Sequence, residues 1–287
     1  MKLRSLLFAP GDSPRKIEKA LATNADGLIL DLEDSVVPAQ KASAREATAQ
    51  VLAGLDCRAR GVVVRINPRG TEWYLADLAA TVSKRPALVM LPKCTGPHDL
   101  AALDHHLEVL ETAAGLPVGE IGVLALVTET ASSLATLSSY AGAAPRLTAM
   151  CFGAEDLSAD MGITPRGPDF AYRAPIAHAR AATLAAAAAA GVPALDTPWT
   201  DPRDPDTLAA EAQAAAADGF AGKLLIHPAQ IDAVNAAFTP PPDRVAWATA
   251  VRDAFAANPG AGVMALDGKM IDRPHLKLAQ RILAAAG

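Results

Sequence analysis

The residues able to do chemistry in this 287-residue chain cluster at the ends of apolar runs. Asp31, Glu33 and Asp34 follow the run GLIL, and Arg65 stands inside VVVRIN. Lys93 ends VMLPK, Glu129 ends VLALVTE, Glu155 and Asp156 follow CFGA, and His227 closes KLLIH. Packing alone does not explain ionisable groups at these positions, because a buried charge is costly unless it is paired or binds a metal. Glu129 and Asp156 belong to consecutive runs. Two such carboxylates suit Mg²⁺, which takes one or two protein oxygens and fills its octahedron with water and substrate oxygens. The alternative is that each pairs with a neighbouring Arg or Lys. The histidines are not clustered, which disfavours zinc.

Arg65 is an improbable solvated charge in an apolar run. Its guanidinium offers a fork of donors to a carboxylate or a developing enolate oxygen. The competing reading is a buried salt bridge to Glu33 or Asp34. Lys93 could balance the nearby carboxylates, and His227 could orient a loop by hydrogen bonding. In PGDSPRKIEKA, Arg15, Lys16 and Lys19 open a helical pattern. Such a cluster could meet the phosphates of a nucleotide-like ligand, although a solvated helix face is the ordinary explanation.

The elements that must position these groups read as strands and helices in alternation. The apolar runs are Ser5–Pro10, Gly27–Leu32, Gly61–Asn67, Ala87–Lys93, Gly122–Glu129, Leu147–Gly153, Val192–Leu195 and Gly222–His227. They do not alternate in polarity, which predicts strands covered on both faces, as in a parallel sheet. Helical composition lies between them, at Pro14–Asn24, Ala39–Leu52, Pro97–Ala113, Ala131–Tyr140, Phe170–Ala190, Pro205–Ala217 and Pro228–Ala237. Eight such repeats predict a (β/α)8 TIM barrel in an α/β chain. An open doubly wound sheet would usually carry GxGxxG after its first strand, and that motif is absent. The Pro-rich Phe238–Pro242 marks a break, followed by helices near Asp243–Ala257 and Pro274–Ala286 with a Gly/Pro loop at Asn258–Gly262. The expected division is a catalytic barrel over 1–238 and a C-terminal helical extension over 239–287. The extension is too short to fold alone, so it packs on this barrel or on a neighbouring subunit.

Composition narrows the function classes. Half the residues are hydrophobic (51%), and the net charge of -5 gives nucleic acid no electrostatic footing. Cys57, Cys94 and Cys151 are far apart, which suggests neither a zinc motif nor a disulfide framework and fits a reducing cytoplasm. The first apolar stretch is broken by Pro10 and Gly11, and the Ala-rich run 181–190 falls short of the about 20 residues that span a bilayer. No membrane role is expected.

Taken together, RSLLFAPGDSPRKIEKAL, DGLILDLEDSV, VVVRIN, LVMLPK, LVTET, FGAEDLSADMG, GKLLIHPAQI and GKMIDRPHLKLA resemble the citrate lyase β-subunit-like branch of the HpcH/HpaI aldolase family. GAEDL, LDLEDSV and IHPAQI in this order form the specific part of the signal. The resemblance implies a Mg²⁺-dependent carbon–carbon lyase acting on a coenzyme A or acyl-carrier thioester such as malyl-, citramalyl- or citryl-CoA. Mn²⁺ is an acceptable substitute, and a homotrimer or multiple of trimers is the implied assembly. By motif, Glu129 and Asp156 resemble the metal ligands. Arg65 resembles the group on the substrate carboxylate or thioester oxygen, with Glu129 also at the substrate. Lys16 and Lys19 match basic positions near the CoA phosphates. Asp272 of the MID motif resembles an acid/base that enters the neighbouring subunit's site, with Asp267 as the second choice. One departure is Ser13, where many relatives carry Arg directly after PGD. The rival expectations are a malyl-CoA thioesterase, a metal-dependent aldolase of free α-keto acids, and a silent scaffold subunit.

Overall fold

The structure is a computed structural model that describes residues 1–142 and 145–287. Eight parallel strands close into a barrel: β1 (Ser5–Pro10), β2 (Gly27–Asp31), β3 (Val62–Arg65), β4 (Leu88–Leu91), β5 (Gly122–Leu126), β6 (Leu147–Cys151), β7 (Ala194–Asp196) and β8 (Gly222–Leu225). Closure is made by β8 on β1, with Ser5 opposite Lys223 and Leu7 opposite Leu225. Side chains alternate across each strand, yet both faces are apolar because both are covered. One set, including Leu6, Ile29, Val63, Met90, Leu124 and Leu195, fills the barrel interior. The alternate set, including Leu7, Leu28, Val64 and Val89, packs against the surrounding helices.

Those helices are set by local signals. The helix Pro205–Asp218 starts at Asp204, whose side chain accepts the backbone N–H of Thr207, and it ends at Gly219 in the left-handed conformation. Pro97 opens the helix Pro97–Ala113, and Gly191 stops Ala174–Ala190. Several expected helices are shorter; Pro14–Asn24 ends at Leu21 and Phe170–Ala190 begins at Ala174. Ala131–Tyr140 is a single turn, Ala131–Leu134, followed by a 3-10 turn at Leu137–Ser139. Pro228–Ala237 begins as a 3-10 turn and is α-helical only over Ile231–Ala237. The helices Cys57–Arg60, Tyr74–Thr81 and Ala154–Asp160 were not anticipated; each is too brief to show a clear period.

Beyond the barrel lie the helices Pro242–Ala257 and Arg273–Ala286, joined through a hairpin of β9 (Val263–Leu266) and β10 (Lys269–Asp272). The hairpin was also not anticipated. Its turn is Asp267–Gly268, both at positive φ (50° and 74°), the backbone that a two-residue hairpin loop requires. These elements share a small apolar cluster of their own, built on Ala248, Val251, Phe255, Ile271 and Ala279.

Candidate active site

A cavity of about 750 Å³ opens at the C-terminal ends of the strands. This is the end at which (β/α)8 enzymes place their chemistry. Its wall includes Arg65, Glu129, Asp156, Lys16 and Lys19, so five of the six expected site residues share one space.

Arg65 reaches into this space from the end of β3 and is 11% exposed. Its Nε and Nη2 each donate at 2.7 Å to one oxygen of Asp31 on the adjacent strand. Nη1 lies 2.9 Å from Glu33 Oε2, which accepts no well-directed hydrogen bond among the described residues. The guanidinium also rests 4.7 Å from the Phe8 ring centroid. The expected partners were Glu33 or Asp34; the structure gives Asp31 and Glu33. Asp31 faces the same side as Arg65 because their strands pair in register. Asp34 lies one turn further out and is exposed. Burial would raise the Asp31 carboxyl, but the Arg65 charge and hydrogen bonds outweigh it and hold it below the usual range. Burial would lower Arg65, and Asp31 more than reverses that.

Glu129 is a buried carboxyl, 3% exposed just past β5. A Cβ at Gly153 would stand 2.8 Å from its Cγ, so the absence of a side chain there makes its space. Its Oε2 accepts the backbone N–H of Lys93. Burial, with Glu33 and Asp156 as negative neighbours, pushes its carboxyl up to about 8. Lys93 balances the cluster as its position suggested. Its ammonium pairs with Glu33, lies 3.5 Å from Asp34 and 3.8 Å from Asp156. Burial would lower the ammonium, but Glu33 keeps it above its ordinary value.

No group of three or more His, Cys, Asp or Glu side chains with metal-binding geometry is found among the described residues. Two carboxylates are what Mg²⁺ needs from protein. The donor set fits such an ion. Glu129 is a buried carboxyl beside Glu33 and Asp156, and a cation placed there would favour its ionised form. Asp156, at the start of the helix Ala154–Asp160, is open to the cavity and to water.

Lys16 and Lys19 are exposed on the helix Pro14–Leu21 and form no ion pair among the described residues. Arg15, on the same helix, is not part of the wall. Asp272 is not either. It caps the helix Arg273–Ala286, with Oδ1 2.5 Å from His275 Nδ1, and Asp267 sits at the hairpin turn. Within one chain the structure therefore does not bring Asp272 or Asp267 to the other site residues. His227 orients its loop as expected: its Nδ1 accepts the N–H of Ala229.

Two positioning features went unread in the sequence. Gln230 is buried and braces two loops of the wall. Its Oε1 accepts the N–H groups of Ile226 and His227 (3.0 and 3.2 Å), and its Nε2 donates to the Trp199 carbonyl (2.8 Å). The second is a buried ionic chain running from β7 and β8 to the surrounding helices. Lys223 pairs with Asp196 (3.1 Å) and Glu211 (2.5 Å), Arg180 pairs with Asp196 (3.0 Å), and Arg166 pairs with Glu211. Arg166 stacks 3.7 Å from the Tyr172 ring, tying the loop after β6 to this chain. A lysine second in GKLL and an aspartate ending ALD were the available signals.

One cavity at the C-terminal end of a closed eight-stranded barrel thus gathers two carboxylates, an arginine and two lysines that form no ion pair among the described residues. The family model of the HpcH/HpaI aldolase/citrate lyase family matches residues 4–228, and the chain belongs to that family. It is accordingly an enzyme of the carbon–carbon lyase class. It is 36% identical to the citrate lyase subunit beta of Leuconostoc mesenteroides subsp. cremoris, over 99% of this chain and 93% of that protein. It is 35% identical to a (3S)-malyl-CoA thioesterase of Cereibacter sphaeroides, over 99% and 94%. Among solved structures, CitE from Mycobacterium tuberculosis in complex with magnesium, acetoacetate and coenzyme A is similar at a TM-score of 0.77. The identity is 36%, covering all of this chain and 98% of that one. No helix among the described residues is long and apolar enough to cross a membrane.

Proposed function

We propose that this protein cleaves or forms a β-hydroxyacyl thioester of coenzyme A, or of an acyl carrier, giving an acetyl thioester and an α-keto acid. The observation that carries the proposal is Glu129, a buried strand-end carboxyl beside Glu33 and Asp156 that an added cation would complete. Glu129 and Asp156 would hold Mg²⁺, or Mn²⁺, which has the same taste for oxygen. When bound, the ion supplies Lewis-acid stabilisation of the substrate's hydroxyl and carboxylate oxygens. Glu129, a residue of the cavity wall, would then serve the substrate as well as hold the metal.

The remaining steps belong to this chain's side chains. The carbinol hydroxyl gives up its proton to solvent, and its oxygen forms the keto C=O as the bond to the thioester α-carbon breaks. The electron pair is carried as the enolate of the acetyl thioester. Arg65, locked on Asp31, directs its unused N–H groups at the enolate oxygen. Asp272 from a neighbouring copy returns a proton to the α-carbon. That role requires an assembly, and a homotrimer or multiple of trimers in the cytoplasm is part of the proposal. Lys16 and Lys19 meet the phosphates of the thioester carrier at the cavity mouth. The chain divides in this reading into a catalytic barrel, 1–238, and an extension, 239–287, that serves the neighbour.

A second reading, hydrolysis of the thioester, is favoured by the likeness to a malyl-CoA thioesterase. Product analysis decides between them. Protein with Mg²⁺ and malyl-, citramalyl- or citryl-CoA should release acetyl-CoA and a keto acid, and EDTA should stop it. Free hydroxyacid without acetyl-CoA would replace the lyase by the hydrolase.

A further inference from the structure

The end of β2 and the loop after it give the cavity wall Asp31, Asp34 and Ser35, with Glu33 among them. A loop of this kind moves unless its main chain is held. On the cavity side the Asp31 carboxylate holds it, accepting the N–H groups of Glu33 (2.9 Å) and Ser35 (3.1 Å) as well as those of Arg65. On the other side it is held by Lys41, a residue with no part in the cavity wall.

Lys41 opens the helix Lys41–Ala53 and is 6% exposed. Its ammonium has three donors and no acceptor. All are spent on neutral oxygens: the carbonyls of Leu32 and Glu33, each at 2.8 Å, and Asn67 Oδ1 at 2.7 Å. The nitrogen also lies 5.2 Å from the Trp73 ring centroid. It forms no ion pair among the described residues. A buried ammonium without a carboxylate partner is costly, and a neutral amide could brace a loop without that cost. Asn67 stands two residues past Arg65 and is locked in its turn. Its Nδ2 donates to the Leu32 carbonyl (2.9 Å) and to Asp77 Oδ2 (2.6 Å), which also accepts the Asn67 N–H. Lys41 and Asn67 thus join the loop of Glu33 to the strand of Arg65 from behind.

The Glu33 residue is gripped at both ends of its main chain, its N–H by Asp31 and its carbonyl by Lys41. Its side chain then stands with Oε2 2.9 Å from Arg65 Nη1 and Oε1 on the Lys93 ammonium. Lys93 in turn closes on Glu129 through its backbone N–H. A shift of the Glu33 main chain would therefore pass to the guanidinium and to Lys93 together.

We propose that Lys41 is a positioning residue: from behind the loop, its ammonium sets the Glu33 carboxyl between Arg65 and Lys93. Its effect on turnover rests on the lyase reading. Lys41 touches neither substrate nor metal, and it acts on the chemistry by holding the group that steadies Arg65.

Lys41→Met keeps the stem against Trp73 and removes the donors. The first arm uses the Mg²⁺-loaded full-length protein and whichever of malyl-, citramalyl- and citryl-CoA the wild type cleaves. There kcat should fall about tenfold to a hundredfold, the effect of a small misplacement of a reacting group. KM should stay within about threefold, because Lys16 and Lys19 meet the carrier unchanged. Wild-type kcat, or a loss confined to KM, in a variant that is folded by circular dichroism would overturn the proposal.

The second arm needs no turnover, so it decides the matter even if the wild type cleaves none of the three and the lyase reading falls. The drop in urea midpoint caused by Lys93→Met is measured in metal-free wild type and in the Lys41→Met background. If Glu33 leaves its station when Lys41 is lost, the Lys93 ammonium has less to pair with, and the drop should shrink by about half. Plain sharing of charge among the acids would instead enlarge it, since the remaining cation would have them to itself. An unchanged or larger drop would sink the proposal. Should Lys41→Met not fold, Lys41→Gln, whose amide still serves one carbonyl, replaces it in both arms under the same criteria.

Discussion

Lys93 serves Glu129 through its main chain and the neighbouring acids through its side chain. Its backbone adopts a left-handed conformation, φ 50°, unusual for a residue with a Cβ, and from it the N–H closes on Glu129 Oε2. The ammonium then lies among Glu33, Asp34 and Asp156. Lys93→Met keeps the backbone cost and the aliphatic stem and removes only the ammonium. It should destabilise the protein by about 1–3 kcal/mol, because Glu33 is left buried without its partner. Urea denaturation of the metal-free protein measures this, and an unchanged midpoint would show that the pair contributes nothing.

Glu129→Gln and Asp156→Asn should each weaken Mn²⁺ binding by at least about a hundredfold, beyond the effect of losing an outer-shell partner. Titration followed by electron paramagnetic resonance reads this directly, without any assay of turnover. Wild-type affinity in either variant would exclude that residue as a ligand.

The metal-free protein should lose stability as pH rises from about 4.5 to about 8. Glu129 is pushed up to about 8 from an ordinary 4.5. In that window the unfolded chain has released the proton that the folded chain retains, so stability falls with rising pH. Other groups titrate too, so the quantity to follow is the difference in Tm between wild type and Glu129→Gln. It should change steadily across this interval, and added Mg²⁺ should abolish the trend. A flat difference would contradict the burial argument.

Arg65→Met should cost about 3–5 kcal/mol, since it strands Asp31 as a buried unpaired carboxylate. The double variant Arg65→Met with Asp31→Leu should recover part of that stability while remaining inactive. Failure to recover it would mean that the pair does not act as a unit.

Asp272→Asn should leave metal and CoA binding nearly intact and slow turnover. If Asp272 works in a neighbour's site, mixing it with inactive Glu129→Gln and letting subunits exchange should restore activity, because some mixed sites regain every group. No recovery on confirmed mixing would place Asp272 outside the chemistry.

The barrel was legible because its strands are apolar on both faces and its helices carry clear stops such as Gly191 and Gly219. The hairpin was missed although its Asp267–Gly268 turn is a strong signal, because the strands flanking it are short and half exposed. The rim positions of Arg65, Glu129 and Asp156 followed from charge at strand ends. The exact partner of Arg65 did not, since register between β2 and β3 decides it and register is not written in either strand alone. Gln230 and Lys223 escaped for a related reason: their importance lies in what the fold sets against them, Trp199 in one case and Asp196 with Glu211 in the other.

The apolar cluster of the C-terminal helices and hairpin shares no residue with either cluster of the barrel. A run of three prolines, Pro240–Pro242, separates them in the chain. Cooperative melting depends on a continuous packed interior. Heating should accordingly melt the barrel in one endotherm, while the helical tail, too short to fold alone, frays at lower temperature without one of its own. A protease that cuts near Thr239 should leave behind a barrel that still melts as one unit.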